Sequence, residues 1–425
     1  MVSFNQVPID ILVPGQYIEI DNSQAVRGLS GMPSRILVIG QKLAAGSAEA
    51  LKPLLISSPD QAKAYFGKGS QLAHMLEKFK AANSYSEVYA IAQIDNGAGA
   101  AASGSITFAG SPTAAGTVNF YIGGRKVQIA VGVSDAADEI ASNLAAAINA
   151  DTSLPVTAAV DGVTDEKVNL TAKHKGECAN GIDLRLNYHN DENLPSGVTG
   201  AVVQLTGGSG NPLVTAVLDA IGDEWYTDFV MPYSDAANIE AMEEELSVRF
   251  GPLKTRDGHC YIAIKNTLGN LVTIGDSRNS PHISTLPFKG APNPPYEWAA
   301  VLGAICAYNL KIDPARPVQN LTMPGLLAPN INERFLLEEQ NILLHHGMST
   351  FNIDAGGNVT TQRIVTNYRE NSFGASDPSY LDIETMKTLS YLRYDVRNFI
   401  ALRYPRFKLA DDGTNFARGQ AVVTP

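Results

Sequence analysis

Cysteine is almost missing from this chain: 425 residues hold three thiols, Cys178, Cys260 and Cys306, odd in number and far apart. They can build neither a disulfide framework nor a CxxC metal site, and a reducing cytoplasm is the natural place of synthesis. Charge is also scarce, at 18%, and the basic sign is the scarcer one: 32 Lys+Arg against 43 Asp+Glu leave a net −11. Nucleic-acid binding over the whole surface is thereby disfavoured, because phosphate recognition needs clustered cations that release counterions. The first basic residue is Arg27, so the positive n-region of a signal peptide is lacking. The longest uncharged apolar stretch of the second half, Trp298 to Leu310, is too short to span a bilayer and contains Asn309. A soluble protein without membrane insertion is expected.

What is present is ordinary globular material, 44% apolar with 37 Gly and 23 Pro. The length suits two or three domains of roughly 150 residues each. At the front, Val7, Ile9, Ile11 and Val13 alternate with Pro8, Asp10, Leu12 and Pro14, an extended pattern whose prolines cannot donate ladder hydrogen bonds. It fits an arm that adds a strand to a neighbouring chain and an ordinary edge strand equally well. Pro14-Gly15 and the polar run Asp21-Asn22-Ser23-Gln24 separate it from the first compact unit.

A β-α-β grammar comes next: a strand over 35–40, helices opened by Ser58-Pro59-Asp60 and Gly69-Ser70, and a strand over 87–92. Composition changes at Asn96-Gly97-Ala98-Gly99, and 16 of the 37 glycines fall within residues 97–210. That change marks a domain boundary. Inside it, Gly123-Gly124 predicts a hairpin, one helix is expected from Ser134 or Asp135, and further short strands lie near Val156, Val168, Ile182 and Val202. The run Thr206-Gly207-Gly208-Ser209-Gly210 is expected to be a flexible hinge. The α/β grammar then resumes: a helix over 212–221, a strand over 225–231, a helix from Ser234 to Phe250 stopped by an αL cap at Gly251-Pro252, and a strand over 260–264. Glu240, Glu243, Glu244 and Glu245 read as a solvated face of that helix. Three further helices are expected over 295–310, 331–346 and 380–403, with a hairpin at Gly356-Gly357 between the last two. The fold class is therefore α/β (α+β) and multi-domain: an arm and linker at 1–30, a mixed-sheet core with flanking helices at 31–95 and 211–425, and a Gly-rich, mostly β insert at 96–210.

Motifs of chemistry are few. A P-loop fails because Gly67-Lys68 is followed by Gly69 where Ser or Thr is needed. Gly97, Gly99 and Ala102 mimic a dinucleotide fingerprint, but a polar β linker follows where a helix must aim its dipole. GxSxG and HExxH are missing. His345 and His346 point about 100° apart on a helix and serve best as charge at its C-terminal end. His259 and Cys260 lie on opposite sides of a strand, so a buried structural thiol is the better reading. A cytoplasmic α/β enzyme with an unrecognised site, and a binding module with the insert as its recognition domain, stay open as alternatives. One charge pattern stands out: Lys387, Arg393, Arg397, Arg403, Arg406 and Lys408 against Asp395 alone make residues 387–408 basic in an acidic protein. Met386, Leu389, Leu392, Val396, Phe399 and Ile400 recur at helical spacing as a core stripe, leaving Arg393 and Arg397 together one turn apart. A solvated helix face and a surface for docking an acidic partner both fit.

Four stretches together carry a resemblance: residues 4–22 with their Pro-Gly and Tyr-Ile-Glu pattern; Gly222-Asp223-Glu224-Trp225-Tyr226; Ile312-Asp313-Pro314-Ala315-Arg316-Pro317 with Met323-Pro324-Gly325-Leu326-Leu327; and Asp377-Pro378-Ser379-Tyr380-Leu381-Asp382 leading to Leu389-Ser390-Tyr391-Leu392-Arg393-Tyr394. In order and spacing the chain resembles a contractile phage tail sheath protein of the phage Mu type over essentially its whole length. The resemblance implies a structural, non-enzymatic virion subunit, assembled in the host cytoplasm, that stacks as hexameric rings around a tail tube. Contraction would drive the tube through the host envelope. Implied partners are copies of itself, the tail tube protein, and the baseplate and tail terminator proteins, with no cofactor, metal or nucleic acid. Val7, Ile9, Ile11, Val13, Tyr17 and Ile18 would form an inter-subunit arm, and Gly15, Asp21, Asn22 and Ser23 its hinge. Lys387, Arg393 and Arg397 become the candidate tube contact. Family members generally continue into a carboxy-terminal strand arm, whereas this chain stops at Val422-Val423-Thr424-Pro425, so no such arm can be placed on residues here.

Overall fold

The structure is a computed structural model that describes residues 31–406, with the backbone of 408–410 and 421–423. The candidate arm and hinge residues Val7, Ile9, Ile11, Val13, Gly15, Tyr17, Ile18, Asp21, Asn22 and Ser23 lie outside the described residues. Two units are distinguished, the larger spanning Ser34–Leu389.

The larger unit is organised by a six-stranded sheet. Strand β1 (Ile36–Gln41) is followed by β2 (Leu54–Leu55), helices α1 (Pro59–Phe66) and α2 (Gln71–Ala82), and β3 (Val88–Gln93). Ser58 and Ser70 cap the two helices by accepting from the amides of Gln61 and Ala73, as their sequence positions predict. A β-rich segment comes after β3: β4 (Ala101–Gly110), β5 (Gly116–Ile122), β6 (Arg125–Val131), α3 (Ala137–Ala150), β7 (Val156–Val160), β8 (Lys167–Lys175), β9 (Leu184–Leu186) and β10 (Val198–Thr206). The chain then returns to the sheet through α4 (Thr215–Ile221), β11 (Asp228–Val230), α5 (Ala236–Phe250), β12 (His259–Lys265), α6 (Leu268–Asp276), β13 (Ile283–Phe288) and α7 (Pro295–Ile312). Last come α8 (Leu337–His345), the hairpin β14 (Thr350–Ile353) and β15 (Val359–Arg363), and α9 (Ile383–Arg403), which runs on into the smaller unit.

The strand order is β13-β12-β11-β1-β3-β2, parallel throughout except β2. Two helical layers sandwich it. Ile36 and Val38 join the core with Leu72, Met75, Leu76 and Phe79 of α2 and Trp298 and Leu302 of α7. Leu37 and Ile39 face Val217 and Ile221 of α4 and Ile239, Met242 and Leu246 of α5. Burial on both faces explains why β1 and β12 read as unbroken apolar runs. The β-rich segment instead holds a four-stranded antiparallel sheet, β10-β4-β8-β7, and a three-stranded one, β6-β5-β9, with α3 packed among them. Strand β6 alternates, with Val127, Ile129 and Val131 buried between exposed Lys126, Gln128 and Ala130, whereas β5 is buried throughout from Val118 to Ile122; Gly123 and Gly124 take the positive φ values that the two-residue turn demands.

Several expectations are corrected. The α3 helix starts at Ala137; Asp135 caps nothing on it, because its carboxylate accepts from Gly132 N at 2.7 Å. Asp235 and not Ser234 caps α5. Gly251 ends α5 without an αL turn, at φ −53° and ψ 154°, since Pro252 drives the preceding residue to extended backbone. Of the expected solvated acids, Glu243 pairs with Arg278 at 3.3 Å and Glu245 with buried Arg249 at 2.7 Å. Helix α8 starts at Leu337, after a 3-10 turn at Ile331–Glu333. Two elements carry no clear signal of cap, turn or periodicity in the sequence. Helix α6 contains Gly269 and Gly275, and β13 contains Pro287, tolerated because β13 is the sheet's edge. The Gly207–Gly210 run is not a free hinge: Ala100 and Ser209 pair as an antiparallel bridge, and Asn180 bonds the backbone of Gly208 in both directions.

In the smaller unit, Tyr394 Oη donates to Gly31 O at 3.3 Å, and Arg403 lies over the Phe399 and Tyr404 rings. The backbone segments β16 (Lys408–Ala410) and β17 (Ala421–Val423) pair in parallel.

Candidate functional site

In an open parallel sheet the usual ligand crevice lies beyond the carboxyl ends of the strands, where the chain order reverses. Here that point falls between β1 and β11, because β3 lies to one side of β1 and β11, β12 and β13 are on the other. The protein fills it with its own chain. The 3-10 turn Glu177–Gly181 of the β-rich segment sits at this end: Glu177 N donates to Asn211 Oδ1 at 2.7 Å and the Cys178 thiol to Pro232 O at 3.2 Å. Gln41 at the end of β1 donates to Lys175 O at 2.7 Å and Asp95 Oδ1 at 2.9 Å. Gln93 at the end of β3 accepts from Tyr233 Oη and donates to Leu213 O, both at 2.8 Å. Each of these polar ends is bonded to the protein's own groups.

The start of α2, where a phosphate would bind, is closed in the same way. Gly69 has φ +79°, and a Cβ there would meet the carbonyl oxygens of Leu154 and Thr152 at 2.6 and 2.7 Å. Those oxygens belong to the loop that covers the helix N-terminus, and they repel an anion.

The thiols and imidazoles are structural. Cys260 and Cys306 are buried, which pushes both thiols far above their ordinary range, and burial pushes Cys178 up to about 12. Such thiols are poor nucleophiles. His259 meets Ser284 Oγ at 2.9 Å, and burial, followed by the Lys387 charge, holds its ring neutral. His346 pairs with Asp276 at 2.7 Å, which also takes Arg369 at 3.0 Å. No group of three or more His, Cys, Asp or Glu among the described residues is arranged to hold a metal. No helix among them is long and apolar enough to cross a membrane.

The basic segment divides along α9. Lys387 is committed inside the larger unit: its Nζ lies 2.7 Å from Asp228 Oδ1 and 2.9 Å from Thr227 O. Tyr261 Oη also donates to Asp228, at 2.9 Å, so this carboxylate at the start of β11 is a shared anchor. Lys387 is thus separated from Arg393, half-buried, and Arg397, exposed, with which the sequence grouped it. The apolar row differs from expectation too. Met386 is buried at 4% exposure, but Leu392, Val396, Phe399 and Ile400 are 50%, 53%, 45% and 47% exposed. The expected core stripe is core only at its start.

The phage tail sheath protein central domain family matches residues 207–366. The Mu-like prophage FluMu tail sheath protein of Haemophilus influenzae is 41% identical over 424 residues, spanning 100% of this chain and 86% of that protein. Among solved structures, the sheath tail protein of Listeria innocua superposes with a TM-score of 0.47 at 13% identity, covering 90% of this chain and 80% of that one. The helical sheath of the anti-feeding prophage in its contracted state gives 0.44 at 11%, covering 91% and 76%. Identity of that degree to the Haemophilus protein, sustained from end to end, makes the chain a member of the phage Mu-type tail sheath family, structural subunits of contractile phage tails.

Proposed function

We propose that this subunit polymerises as hexameric rings stacked helically around a tail tube, and that the polymer shortens to drive the tube through the host envelope. The observation that carries the reading is the half-exposed apolar row of α9, Leu392, Val396, Phe399 and Ile400, beside Arg393 and Arg397. Exposed apolar surface of this kind marks a protein-binding face. Basic side chains next to it favour an acidic partner and fix its register. The tail tube is that partner, with Arg393 and Arg397 as contacts and Lys387 as the anchor holding the start of α9. Residues 1–20 act as the arm to a neighbouring copy, bending at Gly15 and Asp21–Ser23, and baseplate and tail terminator proteins close the two ends. The role is structural and not enzymatic, in keeping with a sheet crevice filled by the chain itself.

Contraction without a bound nucleotide needs stored free energy. The extended lattice must be the less stable of two packings of one subunit, and many copies turn a small difference per subunit into a large one. Electron microscopy of the purified chain, with and without tail tube at rising concentration, tests the assembly. Hollow striated cylinders or six-fold rings are expected; dispersed monomers alongside tube would overturn it. Removing residues 1–20 is expected to leave a folded subunit unable to form sheath, and normal tubes from that deletion would exclude the arm.

A further inference from the structure

We propose that the junction between the β-rich segment and the α/β body is an acid-labile seam whose sensor is His74. The two parts meet along a buried polar line. Arg125, at the start of β6, reaches Glu297 on α7 at 2.5 Å and Glu77 on α2 at 3.3 Å, and the Glu297 side chain is fully buried. Lys265 on β12 meets Asp183 of the β-rich segment at 3.0 Å, and Tyr188 Oη donates to Ala328 O at 2.8 Å. In the midst of these contacts His74 of α2 is 2% exposed. Its Nε2 lies 2.7 Å from Ser153 O of the β-rich segment. A carbonyl only accepts, so Nε2 carries the proton and Nδ1 is bare. That Nδ1 is buried with no hydrogen-bond partner among the described residues.

A proton arriving at Nδ1 would therefore find no acceptor, and it would add a cation to a site that already holds one. The groups facing the ring from the elements around it are the Arg125 guanidinium on β6, Glu77 on the same helix, His174 on β8 and the Tyr296 ring on α7, stacked at 6.5 Å. His174 repeats the arrangement. Its Nδ1 donates to Asp95 Oδ1 at 2.7 Å, while its Nε2 is buried and unpartnered. Burial first, then the Arg125 charge, hold His74 neutral well below the ordinary imidazole range, although Ser153 and Glu77 act the other way.

The sign comes from linkage. A histidine whose proton affinity is depressed in the closed state favours opening once the pH falls below the open-state value of about 6.5. Each further unit then multiplies the open fraction about tenfold. Glu77, held below its ordinary value by Arg125 and Lys63 against the effect of burial, adds its own loss only below the carboxylate range. Measurements above about pH 5 separate the two imidazoles, His74 and His174, from the carboxylates, and a variant at His74 separates the imidazoles from each other.

Amide hydrogen exchange of the full chain reads the seam directly. Lys175 N donates to Asp95 Oδ2 at 3.0 Å and Glu177 N to Asn211 Oδ1 at 2.7 Å, both across the junction. Their protection factors are expected to fall about fifteenfold between about pH 6.5 and pH 5, while those of β1 and β12 hold. His74→Gln retains a donor for Ser153 O without a titrating group and is expected to remove that pH dependence. Constant protection in the native chain, or the same fall in His74→Gln, overturns the proposal. Should that variant not fold, the Cε1 proton of His74 in the native chain decides. A change in its chemical shift that tracks seam opening supports the sensor, and an ordinary midpoint near about 6.5 with the seam still protected excludes it.

Discussion

Two long helices of this chain, α7 and α9, both carry apolar residues along their length and end differently. Residues 295–312 hold two ionisable side chains, Glu297 and Lys311, apart from tyrosine and cysteine, and nearly every position of α7 is buried; Trp298 stacks on Phe288 with ring centres 4.5 Å apart. At Gly303 a Cβ would stand 2.5 Å from Val230 Cγ2, so only glycine lets α7 lie this close to the sheet. In α9 the apolar residues come at the same helical spacing, but the row past Leu389 is left about half exposed. A helix that is apolar all round is made for a core. One that interleaves apolar with basic residues is made for a partner, and periodicity alone does not separate the two.

The sharpest way to break this comparison is to damage α7. Trp298→Ala removes the largest fully buried side chain and is expected to cost about 3–5 kcal/mol in denaturant unfolding, enough to threaten the fold of a marginally stable subunit. A loss under about 1 kcal/mol would mean that α7 is not central to the core. The start of α9 is next. Lys387→Met leaves Asp228 buried with Tyr261 and Thr227 as its remaining donors, and an expected loss of about 1–3 kcal/mol would appear in the same titration. The far part of α9 should behave in the opposite way. Leu392→Ser combined with Val396→Ser is expected to change stability by within about 0.5 kcal/mol while abolishing cylinders in micrographs. Destabilisation with intact assembly would reverse the roles given to the two ends of this helix. The smallest effect is chemical. At about pH 8 a thiol whose pKa is about 12 is ionised at roughly one part in ten thousand, so iodoacetamide is expected to leave Cys178, Cys260 and Cys306 unmodified until denaturant is added.

Much of the fold is legible in the sequence where local chemistry is strong. Ser58 and Ser70 as caps, Gly123-Gly124 as a turn, and the apolar runs of β1, β3 and β12 each carry their own signal. The misses have physical causes. Strand β13 is masked by Pro287, which an edge position tolerates; α6 is masked by Gly269 and Gly275; and Gly251 is extended because Pro252 comes directly after it. Of the candidate site, the basic character of residues 387–408 could be read from composition, whereas the separation of Lys387 from Arg393 and Arg397 could not. That separation depends on Asp228, 159 residues away in the chain. The seam around His74 was likewise invisible, since Ser153, Arg125 and Glu297 are brought to it from three distant segments.

The alternation of strands and helices, the Gly-rich β character of residues 97–210, the lack of catalytic and metal motifs, and the kinship with tail sheaths are all readable in the unfolded chain. These are properties of local spacing and residue type, which exist before the chain folds. Folding brings the Glu177–Gly181 turn to the carboxyl end of the parallel sheet, where it bonds to Asn211 and Pro232. Folding also decided that the apparent hinge at Gly207–Gly210 is pinned to Ala100, and that one end of α9 is anchored while its apolar row is left open. Each of these depends on which distant groups meet and what burial does to them, and hydrogen bonds and desolvation between distant residues leave no periodic trace in the chain.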